Sequence, residues 1–400
     1  GGKEISTPRI DELAAGGAVL ESHYVQPVCS PTRAALMTGR YATRTGVYTV
    51  VRPHAKWGLP LGERTLANAL HDAGYTTAIV GKWHLGEFDR AYRPMSRGFD
   101  HQYGHFFGML DNYTHMRDGV HDWYRDDQEL VAEGYSTHLL TDEACRLIQQ
   151  QQKSKPLFLY VPYNAVHTPL QVPDRYLEPY GDLQGPRKQL AGMLAAVDEG
   201  IGRITDALTK AGLRDTTLIV FSSDNGGPNP GKNTPLRGYK GSIWEGGVRG
   251  CAFANWPGRI PAGQRIKEPV HIIDWYPTLI RLAGGPLEQP LPIDGRDIWP
   301  VLTKNAKSPH DSILSIQSPQ VAALRTGDWK LVLNRSAADE AKPKKNRQQA
   351  ANTIPATALF NLSRDIGEQH DVSDEEPQRL EDMKTKLEAI MNAAVPPGQK

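Results

Sequence analysis

A cysteine at position 29 precedes a predicted helix, in a place where an anion is favoured. Residues 28–41 are VCSPTRAALMTGRY. Within this segment Ser30 suits an N-cap, Pro31 the first helical position and Gly39 a helix stop. Free backbone amides and the positive end of the helix dipole attract anions at such an N-terminus. Cys29 is therefore a candidate nucleophile for a reaction on an anionic substrate.

Arg33 lies in the first turn of the same predicted helix and supplies a charge-assisted hydrogen bond to an anion. Two other interpretations of Cys29 stay open at this point. A lone cysteine beside apolar neighbours is most often a structural core residue. A phosphatase-type thiolate is the second, but its loop spaces the arginine differently from Cys29-x-x-x-Arg33, which disfavours it.

Further polar side chains follow three predicted strands, at 75–80, 157–163 and 217–223. These side chains are Lys82, His84, Asn164, His167, Asp224 and Asn225. Taken alone, Lys82 is explained as an ordinary loop lysine, each histidine as a packed or surface residue, and Asp224-Asn225 as a turn. Ligands of open α/β sheets, however, bind beyond the carboxyl ends of the strands. Their shared placement at one edge of the sheet therefore predicts a functional site.

The elements that must position these residues alternate between helical patterns and short apolar runs, which predicts an α/β fold with a mainly parallel sheet. A Pro- and Gly-rich segment at 284–295 indicates a domain boundary. Two strand-like segments and a charged helix near 376–394 follow it, and the polar residues 336–353 predict an exposed loop. We predict one domain at 1–300 and a small α+β domain at 301–400.

Composition limits the classes of partner. The chain has 400 residues, 39% of them hydrophobic, which suffices for a large core and a smaller one. Its 46 Lys and Arg nearly balance 45 Asp and Glu, which argues against nucleic acid and anionic membranes as partners. No apolar run predicts a membrane span, and the three cysteines form no disulfide framework.

The segment CSPTR at 29–33, continued by LMTGR at 36–40, resembles the signature of the formylglycine-dependent (type I) sulfatases. In that family the cysteine is oxidised to formylglycine after translation. The resemblance continues in AGYTTAIVGKWHLG (73–86), SSDNGG (222–227) and PLRGYKGSIWEGGVRG (235–250). Within the family, the sequence is most similar to the N-acetylgalactosamine-4-sulfatases, the arylsulfatase B group.

The resemblance implies an alkaline-phosphatase-like sandwich with a central, mainly parallel sheet, plus a small C-terminal α+β domain with an antiparallel sheet. It also implies residue roles. Cys29 would become formylglycine, whose hydrate attacks sulfur, and Arg33 would hold that hydrate. Lys82 and Lys240 would bind sulfate oxygens and stabilise charge in the transition state.

The remaining implied roles concern proton transfer and metal binding. His84 would be the base that expels sulfate, and His167 a proton donor or a substrate-binding group. Asp224, Asn225 and the modified Cys29 would bind Ca²⁺. The implied partners are a formylglycine-generating enzyme and a glycan or small-molecule sulfate ester. The implied compartment is periplasmic, extracellular or lysosomal.

The start of the sequence departs from the family pattern. The family has a first strand that ends in a pair of aspartates, and this motif precedes the region where Gly1 begins. We therefore expect the first strand and two metal ligands to be missing. A site with so few ligands would bind Ca²⁺ weakly and turn over poorly.

Two alternative functions remain. One is a phosphonate monoester or phosphodiester hydrolase of the same superfamily. Lys240 and the segment around it favour a sulfatase over this alternative. The other is a non-catalytic protein that binds sulfated glycans. The presence of Cys29, His84 and His167 counts against the second alternative, because a binding protein does not need a nucleophile precursor.

Overall fold

The computed structural model describes residues 4–152, 154–336 and 352–398, so most of the predicted loop at 336–353 lies outside the described residues. None of the described helices is long and apolar enough to cross a membrane. The α-helices are α1 (Pro8–Ala15), α2 (Cys29–Thr38), α3 (Ala42–Thr45), α4 (Leu66–Asp72), α5 (Ser136–Gln149), α6 (Gly185–Lys210), α7 (Glu245–Val248), α8 (Trp275–Leu282), α9 (Trp299–Lys304) and α10 (Pro377–Asn392). Short 3₁₀ helices lie at Arg90–Tyr92, Pro94–Arg97, Asp174–Tyr176, Glu178–Tyr180, Arg214–Thr216 and Ile272–Asp274.

The strands are β1 (Ala18–Leu20), β2 (His23–Tyr24), β3 (Thr76–Lys82), β4 (His101–His105), β5 (Met116–Arg117), β6 (Val120–His121), β7 (Tyr124–Arg125), β8 (Gln128–Glu129), β9 (Leu157–Tyr160), β10 (Ile219–Ser222), β11 (Ala252–Asn255), β12 (Gln264–Ile266), β13 (Val270–His271), β14 (Ile313–Ser318), β15 (Val321–Thr326), β16 (Trp329–Asn334) and β17 (Thr357–Asn361). They confirm the predicted α/β class.

Most strands of the larger part belong to two mixed sheets, and β13-β2 and β5-β6 form two separate two-stranded sheets. One mixed sheet has the order β10-β11-β1-β12 and the other β8-β7-β4-β3-β9. Strand β3 pairs parallel with both β4 and β9, as expected for strands joined through helices. Strand β11 pairs antiparallel with β1 and β10. Parallel pairing therefore surrounds β3, whereas the other sheet is mainly antiparallel.

Helices cover these sheets. Apolar residues of α5 and α6 form a cluster that packs against Leu159 of β9 and Ile219 of β10. One helical layer thus supports the strands that end the two sheets. On another face, Met37 of α2, Leu70 of α4 and Ile280 of α8 share a core with β3. The helix that begins at Cys29 is therefore fixed by its apolar side against the sheet.

Strands β14, β15, β16 and β17 form an antiparallel sheet in that order. Leu324, Leu331 and Leu359 on one face of this sheet pack against Met383 and Leu387 of α10. The predicted antiparallel sheet is present. Helix α9 spans the predicted boundary at residue 300 and packs with the first part of the chain, and the division into two domains stays a prediction.

Candidate active site

Helix α2 begins at Cys29, with Val28 as an extended N-cap, two residues earlier than predicted. The prediction that Ser30 caps the helix is wrong because its hydroxyl makes tertiary contacts. The Ser30 Oγ donates to His84 O at 2.8 Å and accepts from Val51 N at 3.0 Å. Gly39 ends the helix in the left-handed region, at φ 67°. Ser30 thus ties the start of α2 to the segment that follows β3.

Cys29 is buried between a cation and an amide. Lys240 Nζ donates to Cys29 Sγ at 3.3 Å, and the thiol donates to Asn225 Oδ1 at 3.5 Å. Lys240 is distant in sequence and lies in the loop before α7. The structure therefore brings three of the predicted site residues into direct contact.

Arg33 joins the ends of three strands. Its Nη1 donates to Lys82 O at the end of β3 (2.7 Å) and to the hydroxyl of Tyr160 at the end of β9 (3.4 Å). Its Nη2 donates to Asp224 Oδ2, just after β10, at 2.9 Å. Sequence reasoning missed Tyr160, because the strand was predicted to run on to residue 163, whereas β9 ends at Tyr160. The predicted convergence of strand ends is thus seen in the geometry.

Positive charge exceeds negative charge in this part of the structure. Burial lowers the pKa of Lys82 to about 8, although the nearby Cys29 opposes this shift. Burial alone would raise the pKa of Asp224, but Arg33, Lys82 and Lys240 hold it well below its usual value. Three cations therefore surround one ionised carboxylate. Such an excess favours an anionic group, such as a sulfate ester, beside Cys29.

His84 is buried next to the end of β3 and has a positive φ of 63°. Its backbone N–H donates to Phe106 O at 3.0 Å. Its ring lies so close to Gly108 that any Cβ there would overlap it. Burial, followed by the charge of Lys82, lowers the pKa of His84 well below 6.5. The imidazole is therefore neutral at neutral pH, as a general base must be.

His167 lies in the loop after β9, with Nδ1 3.0 Å from Thr168 O. Burial, followed by the charges of Lys240 and Lys82, lowers its pKa to about 4. The ring is therefore neutral near pH 7. A carbonyl oxygen beside Nδ1 assigns the proton to that nitrogen, so Nε2 is an acceptor. The histidine lies within the electrostatic reach of the cation-rich pocket.

Asn112 holds the loop that carries His167, and sequence reasoning missed it. Its Nδ2 donates to Pro169 O at 3.1 Å, while its Oδ1 accepts from Ser136 Oγ at 2.7 Å and Asn164 Nδ2 at 3.3 Å. Asn112 is fully buried. It therefore connects the start of α5 to both ends of this loop, a long-range role that no local pattern indicates.

Two side chains of the pocket carry oxygens of the kind that a calcium ion binds. Asp224 and Asn225 contribute carboxylate and amide oxygens, which suit Ca²⁺ in kind. Ca²⁺ takes about six to eight oxygens, however, and Asp224 already pairs with Arg33. Within the described ranges, no group of three or more His, Cys, Asp or Glu is arranged to hold a metal. These residues alone do not fit a complete calcium site.

The fold and the pocket define a hydrolase of anionic esters with an alkaline-phosphatase-like architecture. Residues 1–285 match the sequence model of the Sulfatase family. The chain belongs to the sulfatase family, and it is a sulfuric ester hydrolase.

Named relatives agree with this assignment. Mouse arylsulfatase J is 37% identical, over 99% of this chain and 73% of the relative. Mouse N-acetylgalactosamine-6-sulfatase is 35% identical, over 74% of this chain and 62% of the relative. The crystal structure of Ps i-CgsB in complex with k-i-k-neocarrahexaose superposes with a TM-score of 0.90 at 33% identity, covering 99% of this chain and 90% of that one.

Proposed function

We propose that Cys29 is the precursor of a formylglycine nucleophile. The observation that carries this proposal is the position of Cys29 Sγ, at the N-terminus of α2 and 3.3 Å from Lys240 Nζ. When present, the aldehyde hydrate supplies one hydroxyl that attacks sulfur and a second whose deprotonation expels sulfate. A formylglycine-generating enzyme is the maturation partner that this chemistry requires.

The cations of the pocket hold the sulfate group. Lys82 and Lys240 bind its non-bridging oxygens and stabilise the charge that develops in the transition state. Arg33 holds the residue at position 29 in place from the next turn of α2, since its guanidinium is fixed by Lys82 O and Asp224. These donors are already in position before substrate binds, so little reorganisation is needed during the reaction.

The two histidines have different roles. His84 is neutral and buried beside the start of α2, which suits it to accept the proton of the second hydroxyl. His167 is also neutral, and its proton lies on Nδ1, so Nε2 accepts a hydrogen bond from the substrate. This state favours substrate binding over proton donation by His167 near neutral pH. Asp224 and Asn225 are the residues that we assign to one side of a Ca²⁺ site.

The substrate that we propose is a sulfated sugar, and more narrowly a sulfated galactosamine. The name of the mouse N-acetylgalactosamine-6-sulfatase and the k-i-k-neocarrahexaose in the Ps i-CgsB structure support a sugar as the substrate. The resemblance of the sequence to N-acetylgalactosamine-4-sulfatases supports a sulfated galactosamine. The compartment that we propose is the periplasm, the extracellular space or the lysosome, as the family resemblance implies.

Mass spectrometry tests the nucleophile. The protein is expressed with and without a formylglycine-generating enzyme, and the peptide that contains residue 29 is analysed. We expect the aldehyde at this position only after co-expression, together with a gain in sulfate release. Unmodified cysteine in fully active protein would refute the proposal. Replacement of Cys251, which lies at the surface, serves as the control for thiol chemistry elsewhere.

A further inference from the structure

The loop that carries Lys240 is held in place by the C-terminal part of the chain. Asn352, just before β17, accepts from Tyr239 N through Oδ1 at 2.9 Å. Its Nδ2 donates to Lys240 O at 3.2 Å. One side chain therefore binds the backbone on both sides of the peptide unit that joins Tyr239 to Lys240. This fixes the point from which the Lys240 side chain extends towards Cys29.

A buried ion triad anchors the end of the same loop. Lys330 of β16 places Nζ 2.8 Å from Glu245 Oε1 and 2.8 Å from Glu368 Oε1. Glu368 Oε2 also accepts from Glu245 N at 2.7 Å. Burial opposes the charged form of Lys330, but the two carboxylates outweigh it and raise the pKa of the lysine. The start of α7 is thus bound to the antiparallel sheet by paired, desolvated charges.

The other end of the loop is attached to the same sheet region. Arg237 Nη1 donates to Glu368 O at 2.7 Å, and its guanidinium stacks 3.9 Å above the Trp244 ring. Trp244 Nε1 donates to Thr353 O at 3.2 Å. Both ends of the loop are therefore held from one side, with Asn352 between them.

The loop that carries Lys240 also makes backbone hydrogen bonds on the side that faces the pocket. Lys240 N donates to Gly227 O at 3.3 Å, and Gly241 N donates to Pro27 O at 2.9 Å. Lys240 Nζ then reaches Cys29 Sγ at 3.3 Å. A lysine side chain has several rotatable bonds, so its ammonium is placed well only if its backbone is fixed.

We propose that Asn352 is a positioning residue for Lys240, and that the C-terminal sheet completes the active site through it. Asn352 acts on the reaction through the Lys240 ammonium and does not touch the substrate. This inference rests on the proposed role of Lys240 in binding sulfate. It also explains why the loop before α7 is bonded to a separate sheet.

A double-mutant cycle tests the proposal in the enzyme matured with a formylglycine-generating enzyme. Lys240→Ala, Asn352→Ala and the double variant are compared by kcat/KM for a sulfate ester and by the inhibition constant of inorganic sulfate. We expect Asn352→Ala to lower kcat/KM on the order of tenfold to hundredfold, as misplacement of a catalytic group does. It should also weaken inhibition by sulfate. In the Lys240→Ala background the same substitution should change little.

Two further variants complete the test. Asn352→Asp keeps the acceptor for Tyr239 N and loses the donor to Lys240 O, so it should lose less activity than Asn352→Ala and serves if the latter fails to fold. Asn361→Ala removes the same kind of side chain at the end of β17, where its Oδ1 accepts from Ser363 N, and should leave both constants unchanged.

The possible failures are distinguishable. An equal fold-loss from Asn352→Ala with and without Lys240 would overturn the positioning role, as would unchanged sulfate inhibition in that variant. If Lys240→Ala itself retains full activity, the proposed role of Lys240 is refuted, and the positioning proposal falls with it.

Discussion

The charge of the pocket depends on which of its side chains stay ionised near neutral pH. Lys82 is the sensitive one, because burial brings its pKa to about 8. Asp224 remains ionised, since three cations hold its pKa well below the usual value. The two histidines stay neutral because burial and neighbouring cations lower their pKa values. Above neutral pH, the activity should therefore depend on the protonation state of Lys82.

Lys82 gives the first prediction. Its ammonium is charged below about pH 8 and neutral above it, so kcat/KM should fall as the pH rises through about 8. Lys82→Arg keeps its charge in this range, since the pKa of arginine is above about 12. Its kcat/KM, although lower, should not show that decline. The same alkaline decline in wild type and Lys82→Arg would assign it to another group.

Gly108 gives the second prediction. A methyl group there overlaps the ring of His84, which must then turn away. We expect Gly108→Ala to lower kcat/KM on the order of tenfold to hundredfold through misplacement of the base. Overpacking should lower the free energy of unfolding by about 1–3 kcal/mol. Gly181→Ala is the matched control, because no atom lies within 4 Å of its Cβ position. Equal kinetics in the two variants would contradict the placement of His84.

Sequence reasoning located Lys82 and Asp224, which both bind Arg33, because the motif at 29–33 and the strand ends are local signals. Their catalytic roles remain predictions. It could not find Asn112 or Asn352, because their contacts depend on segments that are distant in sequence. It misassigned the hydroxyl of Ser30 for the same reason: Ser30 Oγ accepts from a distant donor, Val51 N, and not from a backbone N–H of its own helix.

The residues of the pocket lie at the ends of strands and in the loops that follow them. Strands β3, β9 and β10 end beside Arg33, and the loop after β9 carries His167. Periodicity predicted these strands but not their partners, since the direction of pairing depends on the path of the chain between strands. The antiparallel pairing of β11 with β1 and β10 was therefore not predictable in this way.

The loop after β9 gives the third prediction. Asn112→Ala removes the bond to Pro169 O and leaves Ser136 and Asn164 without this acceptor. Each buried polar group left unsatisfied costs about 1–3 kcal/mol. We expect a lower melting temperature and a raised KM, because the His167 loop loses its anchor. Thermal unfolding and steady-state kinetics check this. A destabilised variant with wild-type KM would show that the His167 loop does not contribute to substrate binding.

Across the whole molecule, the C-terminal sheet is part of the active-site structure. Its Lys330 is buried with Glu245 and Glu368, and the loop between the sheet and the pocket carries Lys240. The family resemblance implied this antiparallel sheet, whereas the sequence itself predicted two strand-like segments and the charged helix, because such patterns are local. It did not predict their bonding to the loop before α7, because buried charge pairs leave no periodic signal.

Substrate preference gives the fourth prediction. We expect a sulfated galactosamine to give a higher kcat/KM than a simple aryl sulfate, because a sugar makes additional contacts that reach the transition state. The matured enzyme is assayed on both substrates under the same conditions. A phosphonate monoester is assayed as well, because its hydrolysis is the alternative activity within the superfamily. An equal or higher kcat/KM on the aryl sulfate would contradict the sugar assignment.

The central claim is that residue 29, once matured, hydrolyses a sulfate ester in a pocket of fixed cations. Its most direct test is sulfate release, measured by ion chromatography, from a panel of sulfated sugars and aryl sulfates. Matured wild-type protein and Cys29→Ala are compared after both are shown to be folded. The account predicts repeated turnover by the matured wild type and none by Cys29→Ala. Equal sulfate release by the two proteins would contradict it.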